Sequence, residues 1–167
     1  TLYSCGLRVS ELCNLKLSDL YFEEGFIKVE GKGSKQRLVP ISPRAIKEIK
    51  YWLTDRNLGK IKKGYEDYVF LARWGNNISR IMVFHMIKEL AEKTGITKNI
   101  SPHTFRHSFA THLLEGGANL RAIQCMLGHE SIATTEIYTH IDRNMLRSEI
   151  IEHHPRNIKY RKERGIY

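Results

Sequence analysis

Apolar positions along the chain change period twice, from helical to alternating and back to helical. Leu2, Tyr3 and Leu7 open a helical pattern over residues 1–18, broken or tilted at Gly6, in which Arg8 and Glu11 share a face at i, i+3. Strand alternation follows: Ile27 and Val29 alternate with Phe26, Lys28 and Glu30. Turn residues Glu23-Glu24-Gly25 and Gly31–Gln36 divide this region into strands at 20–22, 26–30 and 37–41, a three-stranded antiparallel sheet. The second turn, with two glycines and two lysines, is expected to be exposed.

Beyond the sheet every strong pattern is helical. Ser42-Pro43 is an N-cap followed by a first-turn proline, and Ala45, Ile49 and Trp52 keep helical spacing. Residues 56–67 read as a charged loop and 68–71 as a short strand. Val83, Met86, Ile87, Leu90 and Ala91 mark a helix over 79–93. Ser101-Pro102 opens another, ending at Gly116-Gly117, and Asn119 caps a helix stopped by Gly128. A helical turn at 131–137 precedes Tyr138. Asp142 is expected to cap a last helix through Glu152, ended by Pro155. The fold class is α+β, mainly α-helical: a helical domain with a small three-stranded antiparallel sheet on one side.

The length, 167 residues, fits one domain able to bury roughly 70% of its unfolded surface. A 41% hydrophobic content excludes wholesale disorder, and no apolar run is long enough to span a membrane. Charge adds a direction: 27 Lys+Arg against 18 Asp+Glu give +9, which favours a polyanionic partner, nucleic acid first. Cys5, Cys13 and Cys125 form no CxxC pair, as expected of a reducing cytoplasm. The sequence starts at Thr1 inside an apolar pattern, so a preceding segment is expected.

Within 101–107, His103, Arg106 and His107 fall on one arc of about 100° at a helix start. Free N–H groups, a guanidinium and an imidazole there suit a phosphate, or the side chains are simply solvated. Phe105, Phe109 and Leu113 lie on the other arc and are expected to turn the polar arc outward. His129 follows the helix-stopping Gly128, and Tyr138 lies nine residues further on. Taken singly, that tyrosine reads as an ordinary core or surface residue. A zinc site is disfavoured, because Thr104 stands where HExxH needs glutamate and no cysteines cluster. His153-His154 reads as a solvated pair near a helix terminus.

Four segments together resemble one family: GLRVSEL at 6–12, GKGSKQRLVP at 31–40, SPHTFRHSFATHLLEGGA at 101–118 and LGHESIATTEIYTHI at 127–141. They are similar to the catalytic domain of tyrosine recombinases, nearest the Xer type and the related phage and transposon integrases. The resemblance runs from Leu2 to about Pro155. It implies a catalytic set of Arg8, Lys32, His103, Arg106, His129 and Tyr138, with Lys35 a rival to Lys32. On this reading Arg8 and Arg106 clamp the scissile phosphate. Tyr138 attacks it to give a 3′-phosphotyrosine, and Lys32 protonates the leaving 5′-oxygen. His103 is the base or orders the phosphate, and His129 hydrogen-bonds it. Glu11 either orients Arg8 or His103 from behind or is a surface partner of Arg8. No cofactor, metal or ATP motif is implied.

The resemblance further implies double-stranded DNA as partner and a homo-tetramer on two DNA sites, assembled through residues 142–155. It implies no membrane. Residues 1–155 form the catalytic domain and 156–167 a basic C-terminal tail with five Lys/Arg against one Glu, expected to be disordered without DNA. Base contacts are expected from 42–50 or 79–88. Two alternatives stand beside recombination: type IB topoisomerase-like cleavage and religation, and a non-catalytic basic DNA-binding module.

Overall fold

Gly6 decides how the chain begins. In the computed structural model, which describes residues 1–129 and 140–166 (140–142 as backbone only), α1 (Leu2–Cys5) stops at Gly6 in the left-handed conformation, φ +60°. A Cβ at this position would lie 2.5 Å from Phe109 Cδ1. Only glycine meets both demands. The break expected at Gly6 is there, but helix does not continue to 18: α2 (Val9–Cys13) follows, then a 3₁₀ turn at Leu17–Asp19. The helical apolar spacing arises because Cys5, Leu7, Leu12 and Leu15 are all buried, although the backbone between them turns.

The sheet has the expected order. β1 (Leu20–Tyr21) pairs antiparallel with β2 (Phe26–Glu30), and β2 with β3 (Gln36–Pro40). Opposite pairs include Ile27↔Val39 and Val29↔Arg37, all but the arginine buried. β3 begins and ends one residue earlier than its apolar pattern suggests. Ile41 still donates across to the Gly25 carbonyl at 2.9 Å, but outside the ladder. Between β2 and β3 the chain makes a 3₁₀ turn, Lys32–Ser34, with Gly33 at φ +72°.

α3 (Pro43–Leu58) runs past the expected loop start at 56, because Arg56 is buried and donates to the Tyr68 and Glu66 carbonyls. Residues 68–71 are corrected from a strand to a bent connection. It makes only isolated bridges, Lys16↔Tyr68 and Leu71↔Asn77. The run is apolar because Val69 is wholly buried, not because it joins a sheet. α4 (Arg80–Lys93), α5 (Pro102–Glu115) and α6 (Leu120–Leu127) match their patterns, with Asn119 Oδ1 accepting from the first N–H groups of α6.

The C-terminal part departs most. α7 (His140–His153) already includes residue 142, so Asp142 is not its cap. The expected turn at 131–137 lies outside the described residues. Pro155 does not terminate the structure but opens α8 (Pro155–Glu163), which corrects the expectation of a disordered tail. Proline suits the first helical turn because its missing N–H is unneeded there. α8 is held down by buried Asn157, whose Nδ2 donates to the Ile151 carbonyl, and by Arg44 stacked over the Tyr160 ring. His153-His154 is likewise not a solvated pair. His153 Nδ1 is 2.8 Å from the Gly116 carbonyl, and His154 is fully buried with Nε2 3.3 Å from the Tyr3 carbonyl.

Two apolar cores result. One joins α2, the sheet, α3 and α4 through Leu12, Ile27, Val39, Ile49, Val83 and Ile87. The other joins α5, α6 and α7 through Phe109, Leu113, Ile123, Met126, Leu146 and Ile150. α5 reaches both: Phe105 packs on the first, Phe109 lies in the second. Leu146 and Ile150 of α7 are buried in this second core.

Burial pushes the His154 imidazole down to about 4. The unfolded chain takes up that proton near pH 6.5, the folded one only near 4. Stability is therefore lost as pH falls through this window, by about 3 kcal/mol at its foot. Urea unfolding at pH 7, 5.5 and 4.5 should show the loss, and His154→Gln should flatten it. An unchanged pH profile in that variant contradicts the assignment.

Candidate active site

Arg8, Glu11 and Arg106 of the predicted site residues lie where α2, β3, α5 and the end of α6 meet along the seam between the two cores. The centre is Glu11, a carboxylate only 3% exposed in the first turn of α2. Its Oε2 accepts from the Arg8 backbone N–H at 2.8 Å, closing the start of the helix. Its Oε1 accepts from Arg8 Nη1 at 3.1 Å. Arg37 of β3 approaches from the other side as a two-pronged fork, Nη1 to Oε1 at 2.6 Å and Nη2 to Oε2 at 3.0 Å. Burial alone raises the Glu11 carboxyl, but the hydrogen bond and charge of Arg37, then those of Arg8, outweigh it and hold it below the usual range. Of the two readings for Glu11, the exposed surface pair is excluded; its partners are Arg8 and Arg37.

Arg106 sits in α5 one turn after His103. Its Nη1 donates to the Gly6 carbonyl at 2.7 Å and its Nη2 to the Leu127 carbonyl at 2.6 Å. Arg37 Nε donates to the neighbouring Met126 carbonyl at 2.8 Å. Two guanidiniums therefore cap the C-terminal end of α6, where helical carbonyls lack partners and the dipole is negative. Gly128 makes this possible: it is left-handed, φ +68°, and a Cβ there would lie 3.1 Å from Arg37 Cδ. Desolvation, with repulsion from Arg8 and Arg37, pushes the Arg106 guanidinium down to about 10, still protonated at neutral pH.

The outward polar arc of α5 needs a partial correction. His103 and His107 are exposed, but Arg106 is half-buried and turned toward Gly6 and α6. His129 is exposed directly after Gly128, its backbone N–H bonded to the Gln124 carbonyl at 3.2 Å. Lys32 is exposed in the 3₁₀ turn after β2. A groove of about 630 Å³ is lined by Arg8, Glu11, Lys28, Gly31 and Lys32. Tyr138 lies outside the described residues. Among the described residues no group of three or more His, Cys, Asp or Glu could hold a metal ion, and no helix is long and apolar enough to cross a membrane.

Sequence reasoning missed Arg37, although it lies inside the quoted segment 31–40. The usable signal was alternation. Arg37 and Val39 share a face of β3, and Val39 is wholly buried, so a cation two residues earlier faces inward and needs a carboxylate.

Comparison with known proteins agrees with the resemblance. Residues 1–145 match the model of the Phage integrase family. The chain is 50% identical over 155 residues to "Tyrosine recombinase XerD" of Chlorobaculum tepidum, covering 93% of this chain and 51% of that protein. The same-named protein of Staphylococcus saprophyticus is 46% identical, with 93% and 52% covered. The chain thus spans about half the length of the curated relatives it matches. Among solved structures, XerA recombinase superimposes with a TM-score of 0.71 at 37% identity, covering 92% of this chain and 56% of that one. XerH site-specific recombinase bound to difH substrate, a pre-cleavage complex, gives 0.67 at 30% identity, covering 90% and 43%.

The geometry makes Glu11 a stability residue as well as a site residue. Glu11→Ala leaves Arg37 nearly buried without its carboxylate and should cost about 3–5 kcal/mol in urea unfolding at pH 7. Because the folded carboxyl titrates below its ordinary value of 4.5, its contribution is present above that pH and is lost as pH falls through the folded value. Glu11→Gln should show a weaker acid dependence below pH 4.5. A cost under 1 kcal/mol for Glu11→Ala contradicts the buried-pair reading.

Proposed function

The chain belongs to the phage integrase family, and from that premise we propose that it cleaves and rejoins DNA strands as the catalytic part of a site-specific tyrosine recombinase. One observation carries this reading: Arg8 lines one groove with Lys32 and also lies close enough to Arg106, held on a separate element, for the two guanidiniums to repel each other. Among the described residues both guanidiniums keep donors to spare. Arg106 uses two N–H groups on carbonyls, and Arg8 uses one side-chain N–H on Glu11. Each has five, so several remain to grip the non-bridging oxygens of a phosphodiester.

The reaction follows from that grip. The Tyr138 oxygen attacks phosphorus and loses its proton to a base, for which His103 is the candidate. The bond from phosphorus to the 5′-oxygen breaks, and Lys32 donates the proton that makes it a hydroxyl. A 3′-phosphotyrosine remains. Attack by a 5′-hydroxyl of a partner strand reverses every step and releases Tyr138, so the phosphodiester's energy is conserved and no ATP is consumed. Arg8, Arg106 and His129 stabilise the extra negative charge on the phosphoryl oxygens in both directions. Recombination is favoured over topoisomerase-like relaxation or simple binding because the relatives at 46–50% identity are named recombinases.

The partner is double-stranded DNA, whose phosphates the chain's excess of +9 attracts, so binding weakens as salt rises. The three free cysteines fit a bacterial cytoplasm. Assembly as a tetramer through 142–155 would draw α7 off its own domain, where Leu146 and Ile150 are buried. Re-exposing such side chains costs about 1.5–3 kcal/mol each, so exchange requires an equivalent apolar site on the neighbouring protomer.

A nicked suicide substrate that loses its 5′-hydroxyl fragment should trap a covalent protein–DNA adduct with the natural full-length polypeptide carrying this sequence. Tyr138→Phe should give none, and Arg106→Ala should slow adduct formation about 100- to 1000-fold. Chelation of divalent metal should leave the rate unchanged. Absence of adduct with the unaltered protein overturns the proposal.

A further inference from the structure

Arg37 is the residue on which the separate parts of the site converge. Through its fork it fixes Glu11, and Glu11 fixes Arg8 by both its backbone and its side chain. Through Nε it holds the Met126 carbonyl, one residue before the carbonyl that Arg106 holds. Its side chain lies against Gly128, so it sets where His129 leaves α6. A Cβ at Gly31 would meet Arg37 Nη1 at 3.5 Å and Glu11 Oε1 at 3.6 Å, so the fork also abuts the residue before Lys32. One side chain thus touches the carriers of Arg8, Lys32 and His129.

We infer that Arg37 is a positioning residue for DNA cleavage, aligning Arg8, the Lys32 turn and the end of α6 by one planar guanidinium. The inference rests on the cleavage reading above. Arg37 does not itself reach for the phosphate: three of its N–H groups are spent on Glu11 and Met126. What it supplies is geometry. Lysine keeps the charge but offers a single point of contact, so it cannot hold a carboxylate in a fork and a carbonyl at right reach together. A misplacement of about 1 Å in a catalytic group is enough to cost about 100-fold in rate.

The test uses the natural full-length polypeptide and the nicked suicide substrate, with enzyme in excess. Arg37→Lys should slow adduct formation about 100-fold. DNA affinity at fixed salt should stay within about threefold, because no phosphate contact is removed. A structural defect alone would mimic the slowing, so the decisive measurement is a double-mutant cycle with Arg8→Lys. Because part of its effect passes through Arg8, its substitution should cost at most about 10-fold further once Arg8 is altered, well short of the about 100-fold it costs alone; independent effects would multiply in full. Where Arg37→Lys does not melt cooperatively, Glu11→Gln takes its place and should show the same slow cleavage, retained affinity and coupling. A normal cleavage rate, or rate losses that multiply, overturns the inference while leaving the cleavage reading intact. Absence of adduct with the unaltered protein overturns both.

Discussion

A buried carboxylate that faces two guanidiniums is the constraint around which this domain is arranged. Glu11 is buried in the first turn of α2, and leaving it unpaired would be costly. Its pairing requires that β3 lie beside the start of α2, which the three-stranded sheet achieves through the pairing of Val29 with Arg37. It also requires Arg8 to sit just ahead of α2, so that one residue supplies a backbone and a side-chain donor. Fold and site are therefore the same problem here. One of the residues that satisfy Glu11, Arg8, also places positive charge at the groove.

The second requirement is that two independent cores be held in register. Their apolar contacts fix each half but say little about the angle between them, since hydrophobic burial is not directional. Directional bonds cross the seam instead. Arg106 of α5 reaches back to Gly6 and forward to Leu127, and Arg37 of β3 reaches Met126. Successive carbonyls at the end of α6 are thereby held from both sides. Gly6 and Gly128 are the two positions where the backbone must be left-handed and bare for these approaches to occur.

Much of this was legible in the sequence where a local rule acts alone. Ser42-Pro43, Ser101-Pro102 and Asn119 with Gly128 marked helix ends through capping chemistry, and they hold. Rules failed where tertiary burial supplied the pattern. The apolar spacing of 1–18 reflects one core viewed from two short helices, and Val69 is apolar because it is enclosed. Pro155 carries the same local signal whether it ends one helix or starts another, and only the burial of His154 and Asn157 decides for the second. At the site, Arg8, Glu11 and Arg106 were visible as motif residues, but their partners are carbonyls and a strand cation far along the chain. No local spacing encodes a bond from residue 37 to residue 126.

Charge at the seam has a further consequence for the proposed chemistry. Among the described residues, Arg8, Arg37 and Arg106 gather round one carboxylate, a net excess of two positive charges, and their mutual repulsion is part of what lowers the Arg106 guanidinium. A phosphodiester brings one negative charge and relieves half of this excess. Attack by a deprotonated tyrosine adds a second negative charge to the phosphoryl group before the leaving oxygen is protonated. The excess at the seam is then matched in the transition state and only partly matched in the ground state. Catalysis depends on that difference, since only interactions that strengthen at the transition state accelerate a reaction. The carboxylate of Glu11 sets the balance: without it the seam would hold three unmatched cations, and with a second carboxylate the advantage at the transition state would be lost.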